Sequence, residues 1–326
     1  MLPSIYIIGC GGTIAGRGAS KEQLLGYKAG EIGVEELVRA VPQISECARI
    51  TGEQFCNIDS GSMTEAMLLG LSIRVQEVLE REDVDGVVIT HGTDSMDETA
   101  YFLNLTVHTH KPIVIVGAMR PATAISADGP LNLLEAVRLA CCKEAGEYGV
   151  LQCMNSTICC ARFLEKTDTT HVHTFTDGQL GCIGVMQDGV PLFYQKPLRK
   201  HTYESEWYVK KDQVLPSVWI LYCHLAMSGD LITAAMRDGV QGLVLVGMGH
   251  GSIPKYLLPL LDKAREQGLV VVRASRTHSG VVSPVPLWQG LAAADNLSPQ
   301  KARILLQLAL TKTRDLDKIQ KWFGEY

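Results

Sequence analysis

The chain has 326 residues, 46% hydrophobic, 20% charged and 6% aromatic, enough for one large globular domain or two of ordinary size. Thirty Lys and Arg stand against thirty-five Asp and Glu, a formal charge of −5 without basic blocks or basic amphipathic stretches. This argues against nucleic acid or an anionic membrane surface as partner, and no apolar run approaches the roughly 20 residues of a membrane-spanning helix.

In chain order, the first apolar run, Ile5–Cys10, is predicted to be a strand. Residues 1–16 carry no basic n-region, and this run is too short for the apolar region of a signal peptide. A cytoplasmic protein is therefore expected; a periplasmic chain whose leader was removed is the alternative. Further strands are predicted at Gly86–Thr90, Pro112–Val116, Gly149–Met154, Val218–His224, Gly242–Val246 and Leu269–Arg273. Their residues are apolar at consecutive positions, the pattern of strands covered on both faces. Between them fall helical patterns at Val34–Ala40, Met63–Arg81, Asp97–Val107, Pro130–Ala140, Gly229–Asp238, Pro254–Gln267 and Pro299–Thr311. Asp128 before Pro130 and Ser298 before Pro299 read as capping side chains ahead of a first-turn proline.

The alternation predicts an α/β fold: a larger N-terminal domain with a mostly parallel sheet flanked by helices, plus a smaller C-terminal α/β domain. The pattern breaks over residues 190–216, where Pro191, Pro197 and Pro216, a basic run and a polar stretch intervene. The expected division is residues 1–190, a connector over 191–216, and residues 217–326. Ten cysteines are spread along the chain with no C-x-x-C, and two pairs are adjacent in sequence, so they read as reduced core thiols.

The first strand runs into Gly11-Gly12-Thr13, but position 14, where a dinucleotide fingerprint from Gly9 needs glycine, is Ile14. P-loop, zincin and serine-elbow motifs are absent from the sequence as well. Gly11 and Gly12 suit either a tight turn capped by Thr13 or close approach of backbone to a ligand at a strand end. The strand Gly86–Thr90 ends the same way, in His91-Gly92-Thr93-Asp94-Ser95, where helix capping is the competing role. Asn57-Ile58-Asp59-Ser60 is a third polar loop between a strand-like segment and a helix. Two Gly-Thr strand ends in one sheet would let both hydroxyls face one crevice.

Gly11-Gly12-Thr13-Ile14-Ala15-Gly16 and Thr90–Ala100 resemble the two signature segments of the bacterial L-asparaginase/glutaminase family. The resemblance runs nearly end to end, through Gly117–Pro121, Ser126–Pro130, Ala161-Arg162, Lys166, Gly247–Gly249, Arg273–Arg276 and Pro299–Arg303, and is closer to the high-affinity branch. It implies hydrolysis of the asparagine side-chain amide to aspartate and ammonia, without cofactor or metal. It implies Thr13 as a nucleophile forming an acyl-enzyme, with Tyr27, from the flexible loop Gly18–Gly30, helping to move its proton. Thr93 and Lys166, with Asp94, resemble a second cluster that activates water or the nucleophile. Ser60 and Asp94 would hold the α-carboxylate and α-ammonium, with Asp59 and Gly61 lining the same loop. His91 carries no catalytic duty in the family, and a structural hydrogen bond is expected for it.

These residue types fit that chemistry. A threonine hydroxyl needs an adjacent base or a polarising hydrogen-bond chain to become a nucleophile. Desolvation would make Lys166 a base, while a neighbouring Asp94 would favour its ammonium form. Glycine-rich strand ends expose N–H groups suited to a developing oxyanion. A carboxylate facing an α-ammonium selects amino acids over plain amides.

Two departures from the family pattern stand out. Ser252 occupies the place of an asparagine that a neighbouring subunit often contributes, and Ser283–Gln289 lacks an acidic residue where a glutamate is expected. A serine at that place resembles members with glutaminase activity, so asparagine with secondary use of glutamine is expected. The family also implies a homotetramer with sites at intersubunit interfaces. The competing readings are a glutaminase-type amidohydrolase or amidotransferase subunit and, in a different class, a non-catalytic amino-acid-binding protein.

Overall fold

A computed structural model describes residues 2–326. The chain divides into two compact units at residues 212 and 213. The strands, in chain order, are β1 (Ser4–Gly11), β2 (Arg49–Ile58), β3 (Gly86–Thr90), β4 (Ile113–Val116), β5 (Val150–Met154), β6 (Thr157–Cys160), β7 (Glu165–Lys166), β8 (Phe175–Thr176), β9 (Gly184–Gln187), β10 (Val190–Phe193), β11 (Val218–Tyr222), β12 (Gly242–Gly247), β13 (Val270–Ser275) and β14 (Ala292–Ala293). The helices are α1 (Val34–Arg39), α2 (Ile44–Cys47), α3 (Glu65–Leu79), α4 (Met96–Thr106), α5 (Gly129–Cys141), α6 (Asp230–Arg237), α7 (Leu258–Glu266), α8 (Pro299–Leu310) and α9 (Leu316–Glu325).

In the first unit, eight strands form one sheet in the order β10-β9-β6-β5-β4-β3-β1-β2. From β2 to β5 every neighbour is parallel. Helices α1, α2 and α5 cover one face, while α3 and α4 cover the other. Val87, Val88 and Ile89 of β3 are fully buried, which accounts for their lack of alternation. Each such side chain contributes roughly 2 kcal/mol of burial free energy. The chain starts on β1, moves outward to β2, then returns past β1 to β3. The sheet therefore reverses direction of growth between β1 and β3, and a crevice opens at their carboxyl ends.

The second unit carries the parallel sheet β11-β12-β13-β14. Its core packs Leu221, Leu243, Leu245 and Val271 of the sheet against Ile232 and Ala235 of α6 and Leu261 and Ala264 of α7. Helix α8 crosses β11, β12 and β13. The class is thus α/β, with a large, mostly parallel sheet and a separate smaller one.

Three features differ from the sequence reading. The sheet continues through antiparallel β6, β9 and β10. Their hairpins turn on left-handed pairs, Asn155-Ser156 (φ 51° and 55°) and Asp188-Gly189 (φ 50° and 78°), and Asp-Gly is a strong hairpin signal. Helix α9, with Ile319, Trp322 and Phe323 buried, lies beyond the predicted elements. Neither predicted cap forms: the side chains of Asp128 and Ser298 make no capping hydrogen bond to their helices. Asp128 instead accepts from the backbone N–H groups of Met119 and Arg120, both at 2.9 Å, and so organises the loop after β4.

Candidate active site

The turn after β1 brings Thr13 to the crevice. Gly11 and Gly12 adopt φ of 87° and 79°, open to glycine at little cost, and Gly12 N–H donates to Ile58 O of β2 at 2.9 Å. That donor is spent on the fold, so the expectation that glycine N–H groups here face an oxyanion fails for Gly12. Thr13 is buried, and its Oγ1 lies 2.5 Å from the Tyr27 hydroxyl.

Tyr27 is delivered by a loop fastened at its base. Arg17 and Lys28 exchange backbone hydrogen bonds, Gly30 N donates to Gly12 O, and Gly18 N donates to Thr123 Oγ1. Burial raises the Tyr27 pKa; the Thr13 hydrogen bond opposes this, and the charges of Asp94, Asp59 and Asp128 add to the rise. The phenol therefore keeps its proton at neutral pH, and the Thr13–Tyr27 contact joins two neutral hydroxyls.

The turn after β3 supplies the second hydroxyl. Thr93 is buried, and Lys166 of β7 donates to its Oγ1 at 3.0 Å and to Asp94 Oδ1 at 2.5 Å. The Asp94 side chain is 62% exposed, that of Lys166 18%. The buried Ser60 fastens the turn by accepting from the N–H groups of Asp94 (3.1 Å) and Ser95 (3.3 Å), while Ser95 Oγ donates to Ser60 O at 2.8 Å.

Behind this turn His91 is fully buried. One ring nitrogen, Nδ1, lies 2.7 Å from Gly92 O, which can only accept, and Nε2 lies 3.1 Å from Thr99 Oγ1. The carbonyl partner fixes a proton on Nδ1, and burial lowers the pKa to about 4, so the ring is neutral near pH 7. The structural role expected for His91 is what the geometry displays.

Thr13, Tyr27, Asp59, Thr93, Asp94 and Lys166 line one cavity of about 650 Å³. Ser60 is bonded to the turn that carries Asp94, and neither Ser60 nor Gly61 is among the described lining residues. Ser252 belongs to the second unit, where it closes a tight loop through paired backbone hydrogen bonds with Met248. The cavity wall also includes Leu24, Leu25, Met119, Arg120, Thr169 and Thr170, for which the sequence reading proposed no role. Met119 and Arg120 follow the end of β4, so the strand-end rule that found Thr13 and Thr93 reaches them too. Among the described residues no cluster of His, Cys, Asp and Glu is arranged to hold a metal ion, and no helix is long and apolar enough to cross a membrane.

Comparison with known proteins defines the class. Residues 4–199 match the family described as "Asparaginase, N-terminal" and residues 217–323 the "Glutaminase/Asparaginase C-terminal domain". The chain is 46% identical to L-asparaginase 2 of Bacillus subtilis, over 100% of this chain and 87% of that one. It is 45% identical to the glutaminase-asparaginase of Acinetobacter glutaminasificans over 99% of both chains. The crystal structure of a probable cytoplasmic L-asparaginase from Campylobacter jejuni superposes with a TM-score of 0.95 at 44% identity, covering 99% of this chain and 100% of the other. The protein is thus an amidohydrolase with a two-part α/β architecture. It belongs to the asparaginase/glutaminase family.

Proposed function

We propose that the protein hydrolyses the side-chain amide of L-asparagine to L-aspartate and ammonia, with L-glutamine as a poorer substrate. The observation that carries this reading is that two buried threonine hydroxyls face one cavity, each engaged by a different proton-handling side chain: Thr13 by Tyr27, Thr93 by Lys166. Thr13 attacks the amide carbon, ammonia leaves, and the resulting ester is hydrolysed. Because Tyr27 is protonated, it serves as a relay in a hydroxyl chain rather than as a base. Thr93, with Lys166 and Asp94, positions and activates the water or the nucleophile. Asp94 meets the substrate α-ammonium and Ser60 its α-carboxylate, with Asp59 and Gly61 on the adjoining loop. No cofactor or metal enters the reaction.

The catalytic groups are assigned to residues 1–190, the segment 191–216 to a connector, and residues 217–326 to a second domain that contributes Ser252. A homotetramer in which Ser252 completes a neighbouring subunit's site rests on family membership, and sedimentation at assay concentration tests it. A cytoplasmic location is supported by ten free cysteines and by the name of the Campylobacter jejuni relative; a related Haemophilus influenzae protein carries "periplasmic" in its name, which makes fractionation of the native host the test. The functional test is ammonia release from L-asparagine, L-glutamine and D-asparagine side by side. L-Asparagine should give the highest kcat/KM; equal or greater kcat/KM on glutamine would reverse the ranking. Binding of either amino acid without ammonia release would leave the amino-acid-binding reading.

A further inference from the structure

Cys10 lies three residues before Thr13 on β1, and Cys56 lies four residues before Ser60 on β2. The two strands are paired, with a register irregularity between Gly9 and Gly11 that falls at Cys10. The Cys56 thiol donates to Cys10 O at 3.6 Å, which sets the two cysteines side by side on the paired strands. Cys10 is buried, whereas Cys56 is half-exposed on a strand that ends the sheet. One thiol therefore meets solvent and the other waits behind it.

The neighbouring Cys10 side chain lowers the pKa of Cys56 against the opposing effect of burial, while the pKa of Cys10 itself is raised. Burial raises Cys47, Cys141, Cys153, Cys159 and Cys223 instead. Thiolate character and access, which together decide oxidation, thus coincide at Cys56.

We propose that Cys10 and Cys56 are a peroxide-oxidisable pair whose disulfide forms beneath the Thr13 turn and reversibly switches the site off. The Cys56 thiolate attacks one oxygen of hydrogen peroxide and breaks the O–O bond. This leaves a sulfenic acid and a hydroxide, which takes up the proton released by the thiol. Cys10 gives up its proton and attacks the sulfenic sulfur; the S–O bond breaks and the second oxygen leaves as water. Two thiols lose two electrons and one peroxide becomes two waters.

A disulfide holds its sulfurs about 2.05 Å apart, so closure replaces the contact of the Cys56 thiol with Cys10 O by a covalent tie between the ends of β1 and β2. Those ends carry Gly12 and Ile58, joined by the 2.9 Å hydrogen bond that sets the Thr13 turn, and continue into Asp59 at the cavity wall. A displacement of about 1 Å at a reacting atom costs roughly a hundredfold in rate.

The test treats the full chain with hydrogen peroxide, blocks the remaining thiols, and follows peptide masses and ammonia release. A linked peptide containing Cys10 and Cys56 is expected, with activity falling about a hundredfold and returning with dithiothreitol. Cys56→Ser should keep its basal activity and resist peroxide. Cys10→Ser should carry Cys56 on to an acid that dithiothreitol does not reverse. Equal sensitivity in Cys56→Ser, a disulfide elsewhere such as Cys47–Cys141, or a Cys10–Cys56 link with activity unchanged would overturn the proposal. Only the activity readout rests on the proposed function; the mass of the linked peptide reports on the thiols even if no amide is hydrolysed.

Discussion

Gly12 and Gly92 meet backbone to backbone: a Cβ on Gly12 would fall inside the contact radius of the Cα and N of Gly92. The two Gly-Thr turns are thus packed directly against each other, and neither glycine has room for a side chain. Gly12 also sits at φ 79°. Gly12→Ala should destabilise the fold by about 3 kcal/mol through combined clash and strain, read as a lower urea midpoint with an unchanged m-value. A variant as stable as the parent would mean that the two turns can separate freely.

The 2.5 Å contact between Thr13 and Tyr27 sets the expectation for their variants. Thr13→Ala should abolish turnover with the circular dichroism spectrum preserved. Tyr27→Phe keeps the ring and removes the hydroxyl relay, and should lower kcat by about 10² to 10⁴ with little effect on KM. Activity surviving Thr13→Ala and Thr93→Val together would remove both hydroxyls from the mechanism.

Asp94 and Lys166 should separate in kinetics. Asp94 is the more exposed partner of the pair, and Asp94→Asn should raise KM for asparagine about tenfold to a hundredfold, the worth of one charge-assisted hydrogen bond. Lys166→Met should act mainly on kcat, because its Nζ donates to Thr93. Steady-state assays on both variants check the split; a KM effect confined to Lys166→Met would exchange the two roles.

Stability should depend on pH through His91. Its pKa is about 4 in the folded state against an ordinary 6.5. Between those values the unfolded chain binds a proton that the folded chain does not, so stability falls as pH drops. The loss begins near pH 6.5, is complete just below 4, and amounts to about 3 kcal/mol. Urea titrations at several pH values should display this slope, and His91→Gln should flatten it.

Asp128 offers a test of the cavity wall. Its carboxylate accepts from Met119 N, Arg120 N and Asn132 Nδ2. Asp128→Ala should cost about 3 kcal/mol, since charged acceptors make the stronger hydrogen bonds, and should lower kcat/KM as the loop after β4 loses its anchor. Thermal melts and asparagine kinetics on the same preparation measure both.

Periodicity made the buried strands legible, since β3 and β11 begin where consecutive apolar residues do. It said little of β2, whose residues are mostly exposed or half-exposed along the sheet edge, or of the two-residue strands β7 and β8. The site was legible where chemistry sits at a strand end, as at Thr13 and Thr93. Tyr27 and Lys166 came from resemblance alone, because a loop tyrosine and a lysine on a short ribbon carry no local pattern. At Asp128 position and residue type both suit a cap, but two N–H groups of another loop compete for the same oxygens.

The strand order has a consequence for how the protein matures. Thr93 and Lys166 bond across 73 residues of chain, and Ser4 and Asp85 across 81. A nascent chain released at residue 160 would hold both threonines but not the lysine, and a folding intermediate with β3 undocked would leave Thr93 apart from the Thr13–Tyr27 pair. Hydrolytic competence is then acquired late and all at once, since contacts so distant in sequence form only after the chain between them has collapsed. The first ammonia released during refolding would serve as a clock for the completed β1–β3 crossover.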